Sequence, residues 1–393
     1  MFSIWWPAFL LPLAMVLGGV AGGVLPGRKY RGPRGVLPSE KQREADRVFC
    51  RFLWQFGLVY AALAFMVMRT VRLVSLSGQQ WFLIGAVAVE IIGAALMVIP
   101  VERTLHALFG EDSIVTEQAP AKINLALLVG EKHPDGYHDV TSVMQSVSLC
   151  DTVTARRTSG GITLTCSDPT LACDETNLAY RAAALFFEET GVEGGAALTL
   201  EKVIPMQAGL GGGSSDAAAV LRALRRLYAP DMPLEELERM AIRLGSDVPY
   251  CVRGATTLVE GRGEHLTQLT ALPACWCVLC KPDIACPTGA MYGEIDRRGA
   301  HLTLDVQEML RALERGDLAA VCALVGNVFE QVIDPESDIF TIRRRLTELG
   351  ADTACMSGSG SAVFGLFTKE ETARAAQELL SQDYPRTFLA KTV

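Results

Sequence analysis

Hydrophobic and polar positions divide the chain into two unlike parts near residue 112. The first part contains three long apolar runs, residues 4–25, 52–68 and 81–101, and only Glu90 interrupts them with a charge. A helix of about 20 apolar residues crosses the hydrocarbon core of a bilayer. The pattern therefore predicts about three transmembrane helices in residues 1–112. A cleaved signal peptide is the alternative for the first run, and a buried core helix for the second.

The loops between these runs predict their orientation. Residues 26–51 contain eight Lys or Arg, whereas residues 69–80 contain two. Because basic loops stay on the cytoplasmic side, three spans would leave everything after residue 101 in the cytoplasm. We therefore expect a membrane-anchored protein whose larger part is cytoplasmic. Glu90 is either a functional carboxylate or one that is protonated or hydrogen-bonded between helices, and its role stays open.

We predict a polar linker at residues 113–120. After it, hydrophobic residues recur at the short spacings that are typical of strands and amphipathic helices. Alternating or β-branched segments predict strands, and amphipathic segments predict helices. The predicted strands are 122–129, 140–157, 161–167 and 196–204, and the predicted helices are 217–227, 234–244, 317–332, 339–349 and 370–380. Since the strands do not alternate strictly with helices, the expected fold class is α+β.

Charge separates the same two parts. The net charge of −8 divides into +4 for residues 1–112 and −12 for the rest. An acidic larger part excludes a nucleic-acid-binding surface, which needs net positive charge to bind phosphates. Ten of the eleven cysteines lie in this part at irregular spacings, which indicates free thiols in a reducing compartment.

Four of these cysteines lie close together, at Cys275, Cys277, Cys280 and Cys286. Their number would suffice for a zinc site. However, strand alternation places Cys275 and Cys277 on one face and Cys280 on the other, which favours small buried hydrophobic residues instead.

Residues 205–216 form the strongest motif, Pro-Met-Gln-Ala-Gly-Leu-Gly-Gly-Gly-Ser-Ser-Asp, directly before a predicted helix. Glycines let backbone N–H groups surround an anion, and the helix start adds a positive dipole. The spacing matches neither a P-loop nor a dinucleotide-binding motif. A flexible turn capped by Ser214 or Ser215 is the alternative. We predict phosphate binding by Ala208, Gly209, Leu210, Gly211, Gly212, Gly213, Ser214 and Ser215.

A second glycine cluster occupies residues 356–361, Met-Ser-Gly-Ser-Gly-Ser. Alone it is also compatible with a hairpin turn. Paired with the first loop, it would close over the other side of a polyphosphate.

Three further segments offer side chains for catalysis or binding. Lys122 and Asn124 lie two residues apart on a predicted strand and so share a face, where a buried Lys needs a partner or a substrate. Asp247 precedes Val-Pro and is either a helix N-cap or a carboxylate that takes a hydroxyl proton. The segment of Tyr137 and His138 follows Asp-Gly and is either a simple turn or a base-binding element.

Together these segments resemble the GHMP kinase superfamily. Residues 120–125, 135–138, 205–218, 245–249 and 357–364 occur in the order and at about the spacing of that superfamily. The resemblance covers about residues 114–393. It implies a two-domain fold, with a ribosomal protein S5 domain 2-like domain at 113–268 and a ferredoxin-like domain at 269–393. The site would lie in the cleft between them.

The resemblance also implies an activity, the transfer of phosphate from ATP, with Mg²⁺, to a small-molecule alcohol. The Lys-x-Asn strand and the Asp-Gly-Tyr-His turn are most similar to members acting on the 2-hydroxyl of 4-diphosphocytidyl-2-C-methyl-D-erythritol, a precursor in non-mevalonate isoprenoid synthesis. By resemblance, Lys122 and Asp247 are the catalytic pair. Substrate-binding positions implied in the same way are Asn124, Tyr137, His138, Thr288 and Tyr292, with the cytosine between Tyr137 and Tyr292.

Further positions are less closely tied to the resemblance. Asn177 is similar to a position near the adenine of ATP, and Lys202 lies on the strand that leads to the glycine loop. Gln207 stands where many members have a small residue. Asp216 is either a magnesium ligand or an ordinary first-turn acid, and we assign no metal ligand from the sequence.

Two other functions stay open. Another GHMP kinase, of homoserine or a mevalonate-type alcohol, would share the glycine loop without a base pocket. A non-catalytic nucleotide-binding membrane sensor is the second alternative, although it would not need Lys122, Asn124 and Asp247 together. The sequence predicts no oligomeric state, and the resemblance does not extend to residues 1–112.

Overall fold

The computed structural model describes residues 114–393, so the three predicted transmembrane runs and Glu90 lie outside the described residues. The described residues group into one unit. Within them, no helix combines the length and the apolar character that crossing a bilayer requires.

The first sheet of this unit has seven strands. Its order is β3-β4-β2-β1-β8. Strand β4 pairs with residues 152–158 of β2, β5 pairs with residues 140–145 of β2, and β6 pairs with β5. The pairs β3–β4 and β1–β8 are parallel and the rest are antiparallel. Its strands are β1 (Ile114–Lys132), β2 (His138–Thr158), β3 (Gly161–Cys166), β4 (Gly195–Glu201), β5 (Thr256–Gly261), β6 (His265–Gln268) and β8 (Gly326–Asn327).

The second sheet has four antiparallel strands in the order β11-β7-β10-β9. These are β7 (Trp276–Cys280), β9 (Thr353–Met356), β10 (Val363–Phe367) and β11 (Thr387–Lys391). The helices are α1 (Leu178–Thr190), α2 (Gly212–Tyr228), α3 (Leu234–Ala241), α4 (Val248–Arg253), α5 (Thr288–Arg298), α6 (Val306–Glu314), α7 (Leu318–Ala323), α8 (Asp338–Glu348) and α9 (Glu370–Ser381). The α+β prediction is confirmed, while the domain border at 268/269 stays a prediction.

The predicted polar linker at 113–120 is wrong for residues 114–120, which form the first third of β1. They pair with β2 in register from Ile114↔Arg156 to Pro120↔Cys150. The inward positions alternate, and Glu117 is held there by ion pairs with Arg222 and Arg226. The charge of Glu117 made this segment resemble a polar linker, because its two arginine partners are distant in the sequence. Pro120 is tolerated because the register shifts directly after it.

The predicted helix at 317–332 is also interrupted. The chain there forms α7, then the two-residue strand β8, and then a 3₁₀ helix, Val328–Val332. Asn327 ends the strand and accepts the N–H of Phe329 with its side chain. The apolar spacing continues through both short helices, so periodicity alone did not reveal the break.

Buried side chains form the core on both sides of the second sheet. Cys275 and Cys277 pack into one hydrophobic cluster with Leu279, whereas Cys280 and Cys286 pack into another. Burial raises the pKa of the Cys280 thiol to about 11. In residues 114–393 no group of His, Cys, Asp and Glu has the arrangement of a metal site. Because all four side chains are buried in hydrophobic clusters, the prediction of buried hydrophobic cysteines is confirmed.

Candidate active site

The glycine loop leaves the first turn of α2 without a side-chain cap. Gly211, at φ +70°, occupies the N-cap position, and within residues 114–393 the helix has no side-chain capping hydrogen bond. The Ser215 hydroxyl instead donates to the carbonyl of Pro120 at 2.8 Å. Serine capping is therefore wrong, and an uncapped helix start of this kind suits an anion.

Left-handed backbone geometry shapes this loop. Gly209 has φ +73°, and a Cβ atom there would lie 2.1 Å from the Ser357 carbonyl oxygen. Gln207 has φ +50°, a conformation that residues other than glycine rarely adopt. Glycine at 209 is thus required both by its backbone angle and by the close approach of a second chain segment.

That second segment is the glycine cluster at 356–361, which connects β9 to β10. The Ser357 hydroxyl donates to the carbonyl of Gly209 at 3.0 Å, and the N–H of Ala362 donates to that of Ala208 at 3.0 Å. The cluster is therefore a hairpin connection, and it also packs directly on the first glycine loop. The hairpin interpretation is confirmed, and closure over a polyphosphate stays a prediction.

Lys122 and Asp247 meet beside the glycine loop. The Lys122 Nζ lies 3.6 Å from the Asp247 Oδ2, and the lysine is only 3% exposed. The backbone N–H of Lys122 donates to the Leu210 carbonyl at 3.0 Å, which ties β1 to the loop. Asp247 precedes α4 at the N-cap position, but its side chain makes no capping hydrogen bond. Its half-buried carboxylate is therefore available to a ligand.

Asn124 holds Lys122 in place. Its Oδ1 accepts from Lys122 Nζ at 2.8 Å and from the N–H of Gly358 at 2.9 Å. Its Nδ2 donates to the Ser142 hydroxyl at 2.8 Å. Since both ends of this buried amide are bonded to protein, Asn124 links the lysine to the second glycine cluster. Its direct contact with substrate stays a prediction.

Lys202 lies close to the start of α2 and contacts two carboxylates, Asp151 on β2 and Asp216 on α2. Its Nζ donates to Asp216 at 2.6 Å and also to Asp151, and a Cβ on Gly212 would lie 3.5 Å from it. Asp151 is fully buried and also accepts the N–H groups of Val203 and Ile204. Burial lowers the pKa of Lys202, but Asp216 and Asp151 outweigh it, so that pKa is raised.

Asp216 is the carboxyl group of this cluster whose pKa is raised. Burial raises its pKa to about 7 against the attraction of Lys202, and the nearby charge of Asp151 acts in the same direction as burial. Its Oδ1 is buried without a hydrogen-bond partner among the described residues. Asp216 is thus not an ordinary first-turn acid. A partnerless carboxylate oxygen next to the glycine loop fits the oxygen ligands that Mg²⁺ prefers.

Aromatic rings surround the other end of the site. The His138 ring stacks on Tyr292 with centroids 5.2 Å apart and an interplanar angle of 22°. Burial, and then the charge of Asp247, raise the pKa of Tyr292 to about 12. The Thr288 hydroxyl lies 2.9 Å from that of Ser359 in the second glycine cluster. Helix α5 therefore brings both Thr288 and Tyr292 to the site.

Tyr137 and Asn177 are placed differently. Tyr137 is 60% exposed, and the Arg262 guanidinium lies 5.2 Å from its ring centroid. Asn177 caps α1 by accepting the N–H of Ala179 at 2.9 Å and donates to the Ala172 carbonyl at 2.8 Å. The roles of Tyr137 beside the cytosine and of Asn177 beside the adenine stay predictions.

Two segments of the chain match known protein domains. Residues 177–255 match the GHMP kinases N terminal domain, and residues 309–386 match the GHMP kinases C terminal domain. A 4-diphosphocytidyl-2-C-methyl-D-erythritol kinase of Exiguobacterium sibiricum is 44% identical over 259 residues, which are 65% of this chain and 90% of the relative. The chain belongs to the GHMP kinases.

Solved GHMP kinases share the fold. The crystal structure of a 4-(cytidine 5'-diphospho)-2C-methyl-D-erythritol kinase superposes with a TM-score of 0.61 at 37% identity, covering 71% of this chain and 99% of that one. A homoserine kinase from Cytophaga hutchinsonii has a TM-score of 0.57 at 18% identity, covering 71% and 94% of the two chains. The second likeness concerns the fold alone.

Sequence reasoning missed four residues of this GHMP kinase site. Asp151 and Ser142 lie on β2, Arg262 lies in the β5–β6 turn, and Asp296 lies on α5. Asp151 had a usable signal, because a lone carboxylate inside an apolar strand needs a partner. Asp296 follows Tyr292 by four residues and so lies on the same helical face. Ser142 and Arg262 gave no such signal.

Proposed function

We propose that this chain transfers the γ-phosphate of ATP to the 2-hydroxyl of 4-diphosphocytidyl-2-C-methyl-D-erythritol. The observation that carries the proposal is the meeting of Lys122 and Asp247 beside the glycine loop. A nucleotide-binding protein without chemistry has no use for a buried ammonium paired with a half-buried, uncapped carboxylate. A relative that is 44% identical to this chain, in a match that covers 90% of the relative, bears the name of this kinase.

The triphosphate of ATP lies on the glycine loop in this proposal. The uncapped N–H groups at the start of α2 and the left-handed turns at Gly209 and Gly211 suit an anion. The Lys202 ammonium lies close to the same helix start, where it is paired with Asp151 and Asp216. Asp216 Oδ1 would hold Mg²⁺, which when bound supplies neutralising charge to the phosphate oxygens.

Asp247 acts on the attacking hydroxyl. Its carboxylate takes the hydroxyl proton or aligns the oxygen with the γ-phosphorus. Lys122 lies beside it and stabilises negative charge that develops on the transferring oxygens. Phosphoryl transfer requires mainly alignment and charge neutralisation, so this pair needs to be rigid. Asn124 supports that rigidity by its hydrogen bond to the Lys122 ammonium.

The cytidine end of the substrate lies near His138 and Tyr292, with Tyr137 on the opposite side of the base. Stacking on an aromatic ring and a nearby imidazole suit a pyrimidine. Thr288, at the start of the same helix as Tyr292, lies between this end and the second glycine cluster. The names of the relatives support a cytidine-diphosphate alcohol over homoserine or mevalonate.

Residues 1–112 anchor the enzyme to a membrane in this proposal. Its support is the sequence alone, namely three apolar runs and the basic loop at 26–51. The same loop charges place the kinase part in the cytoplasm.

A substrate comparison tests the function. The purified full-length chain, with ATP and Mg²⁺, is supplied separately with 4-diphosphocytidyl-2-C-methyl-D-erythritol, homoserine and mevalonate, and ADP release is measured. We expect a kcat/KM for the cytidine-diphosphate alcohol at least about 100-fold above the others, since a site that hydrogen-bonds a substrate rejects analogues lacking those groups. Equal or greater turnover of homoserine or mevalonate would contradict the proposal.

A further inference from the structure

Asp296 connects two elements at the base-binding end of the site. Its Oδ1 lies 2.8 Å from His138 Nε2, and its Oδ2 lies 2.5 Å from Lys132 Nζ. His138 begins β2 and Lys132 ends β1, whereas Asp296 lies on α5. The two carboxylate oxygens of Asp296 therefore connect helix α5 to two different strands of the first sheet.

A carboxylate beside Nε2 favours hydrogen on that nitrogen of the His138 ring. Hydrogen bonds from Lys132 and then His138 lower the pKa of Asp296. An ionised carboxylate only accepts, so His138 Nε2 is the donor in their hydrogen bond. In the neutral imidazole the remaining nitrogen, Nδ1, is then an acceptor. No hydrogen bond from the described part of the protein reaches Nδ1.

Packing fixes the direction in which this acceptor points. The His138 ring is 8% exposed and stacks on Tyr292, which lies one helical turn before Asp296 on α5. The Tyr292 ring in turn packs edge-on against Phe329. Helix α5 thus supplies both the stacking ring and the hydrogen-bond acceptor, and the imidazole can neither tilt nor rotate without losing one of them.

We infer that Asp296 is a positioning residue that locks His138 with Nδ1 as acceptor and thereby makes the site prefer an amino-bearing pyrimidine, cytosine, over uracil. This inference rests on the proposed function. Cytosine presents a donating amino group at N4, which an acceptor on His138 satisfies. Uracil presents a carbonyl oxygen at that position, so two acceptors would face each other without a hydrogen.

The kinetic test compares two variants of the full-length chain. Asp296→Asn replaces the carboxylate with an amide that can donate or accept, so either imidazole tautomer is allowed. Asp383→Asn is the matched control, because Asp383 is exposed and paired with Arg345 away from the site. For each, kcat and KM are measured with 4-diphosphocytidyl-2-C-methyl-D-erythritol and with its uridine counterpart.

We expect the unaltered chain and Asp383→Asn to prefer the cytidine substrate by at least about 100-fold in kcat/KM. In Asp296→Asn that ratio should fall about 10-fold or more, through a higher KM for the cytidine substrate, with the KM for ATP unchanged. An unchanged ratio in a folded Asp296→Asn chain would overturn the role of Asp296 while leaving the proposed function intact. Absence of turnover by the unaltered chain would instead overturn both.

Nitrogen-15 NMR of the imidazoles gives a readout that a merely structural role would not move. The His138 signals, assigned by their loss in His138→Gln, should show hydrogen on Nε2 in the unaltered chain and a mixture of tautomers in Asp296→Asn. Asp296→Glu, which keeps a carboxylate, should retain the Nε2–H signature. A His138 that is protonated on Nδ1 in the unaltered chain would overturn the inference without any kinetic measurement.

Discussion

Lys122 Nζ lies 3.6 Å from Asp247 Oδ2, although one residue is on a strand of the first sheet and the other precedes a helix. The lysine is buried, while the side chain of the aspartate keeps 35% of its surface exposed. A buried charge needs a partner, and an exposed face on that partner leaves it open to a ligand. Asp247 therefore neutralises the buried charge of Lys122 and at the same time presents an accessible carboxylate beside the glycine loop.

Removing the ammonium should slow the chemical step. In Lys122→Met the side chain keeps its length and apolar packing but loses its charge, and Asp247 loses its ion pair. We expect kcat to fall about 10²- to 10³-fold, since electrostatic stabilisation of a transition state has that magnitude. Steady-state ADP release measures it. Lys391→Met, at an exposed lysine over Trp276, is the control, and equal rates in the two variants would argue against a role for Lys122.

Contact between the two glycine segments should depend on Gly209. In Gly209→Ala the new Cβ would lie 2.1 Å from the Ser357 carbonyl oxygen, at a φ of +73°. We expect the free energy of unfolding to fall by at least about 2 kcal/mol and the KM for ATP to rise. Gly160→Ala is the control, because nothing lies within 4 Å of a Cβ there and its φ is ordinary. Urea unfolding checks both variants, and equal stability would show that the two segments do not approach so closely.

The buried cluster of Lys202, Asp151 and Asp216 should give the stability a pH dependence. Burial raises the pKa of Asp216 from its ordinary 3.8 to about 7, so between these values the folded chain holds a proton that the unfolded chain releases. The stabilisation is full below about pH 4 and is lost as the pH rises through 7.

Asp216→Asn replaces the protonated acid by a neutral side chain of the same shape. Relative to this variant, the unaltered chain should lose stability between pH 5 and pH 7.5. Unfolding in urea at several pH values measures the difference. Parallel curves for the two chains would show that Asp216 is ionised throughout this range.

The predicted membrane region should be separable from the kinase. Strand β1 begins at Ile114, and residues 114–393 group into one unit with both glycine segments and the Lys122–Asp247 pair. We expect the fragment 114–393 to fold without detergent and to retain kcat within about a factor of three of the full-length chain. Circular dichroism and ADP release check this. A folded but inactive fragment would show that residues 1–113 take part in the reaction.

Local patterns predicted the first four strands and four of the helices, because helices and strands with one buried face carry a clear period. The helices α3, α8 and α9 are confirmed close to their expected bounds, whereas α2 begins at Gly212 rather than at residue 217. The errors came from tertiary partners. Glu117 is paired across to Arg222, so a strand resembled a linker, and β8 is defined only by its pairing with β1.

The site was predictable where backbone chemistry determines the motif. Residue type and spacing were enough to predict a candidate anion-binding loop at 205–216 and a shared face for Lys122 and Asn124. Asn124 was expected to orient substrate, and its hydrogen bonds to Lys122 and Gly358 appear only when distant segments meet. Similarly, the spacing of Asp296 from Tyr292 indicates a shared helical face, but the contact of Asp296 with His138 joins segments far apart in the chain, and no local pattern indicates it.

Asp247→Ala gives the most direct test of the central claim, that Asp247 acts on the attacking hydroxyl beside bound ATP. Single-turnover transfer of labelled γ-phosphate to 4-diphosphocytidyl-2-C-methyl-D-erythritol is measured alongside ATP affinity by calorimetry. We predict label on the 2-hydroxyl with the unaltered chain, and transfer about 10²- to 10⁴-fold slower in Asp247→Ala with ATP affinity nearly unchanged. Transfer by Asp247→Ala at a rate close to that of the unaltered chain would contradict the account.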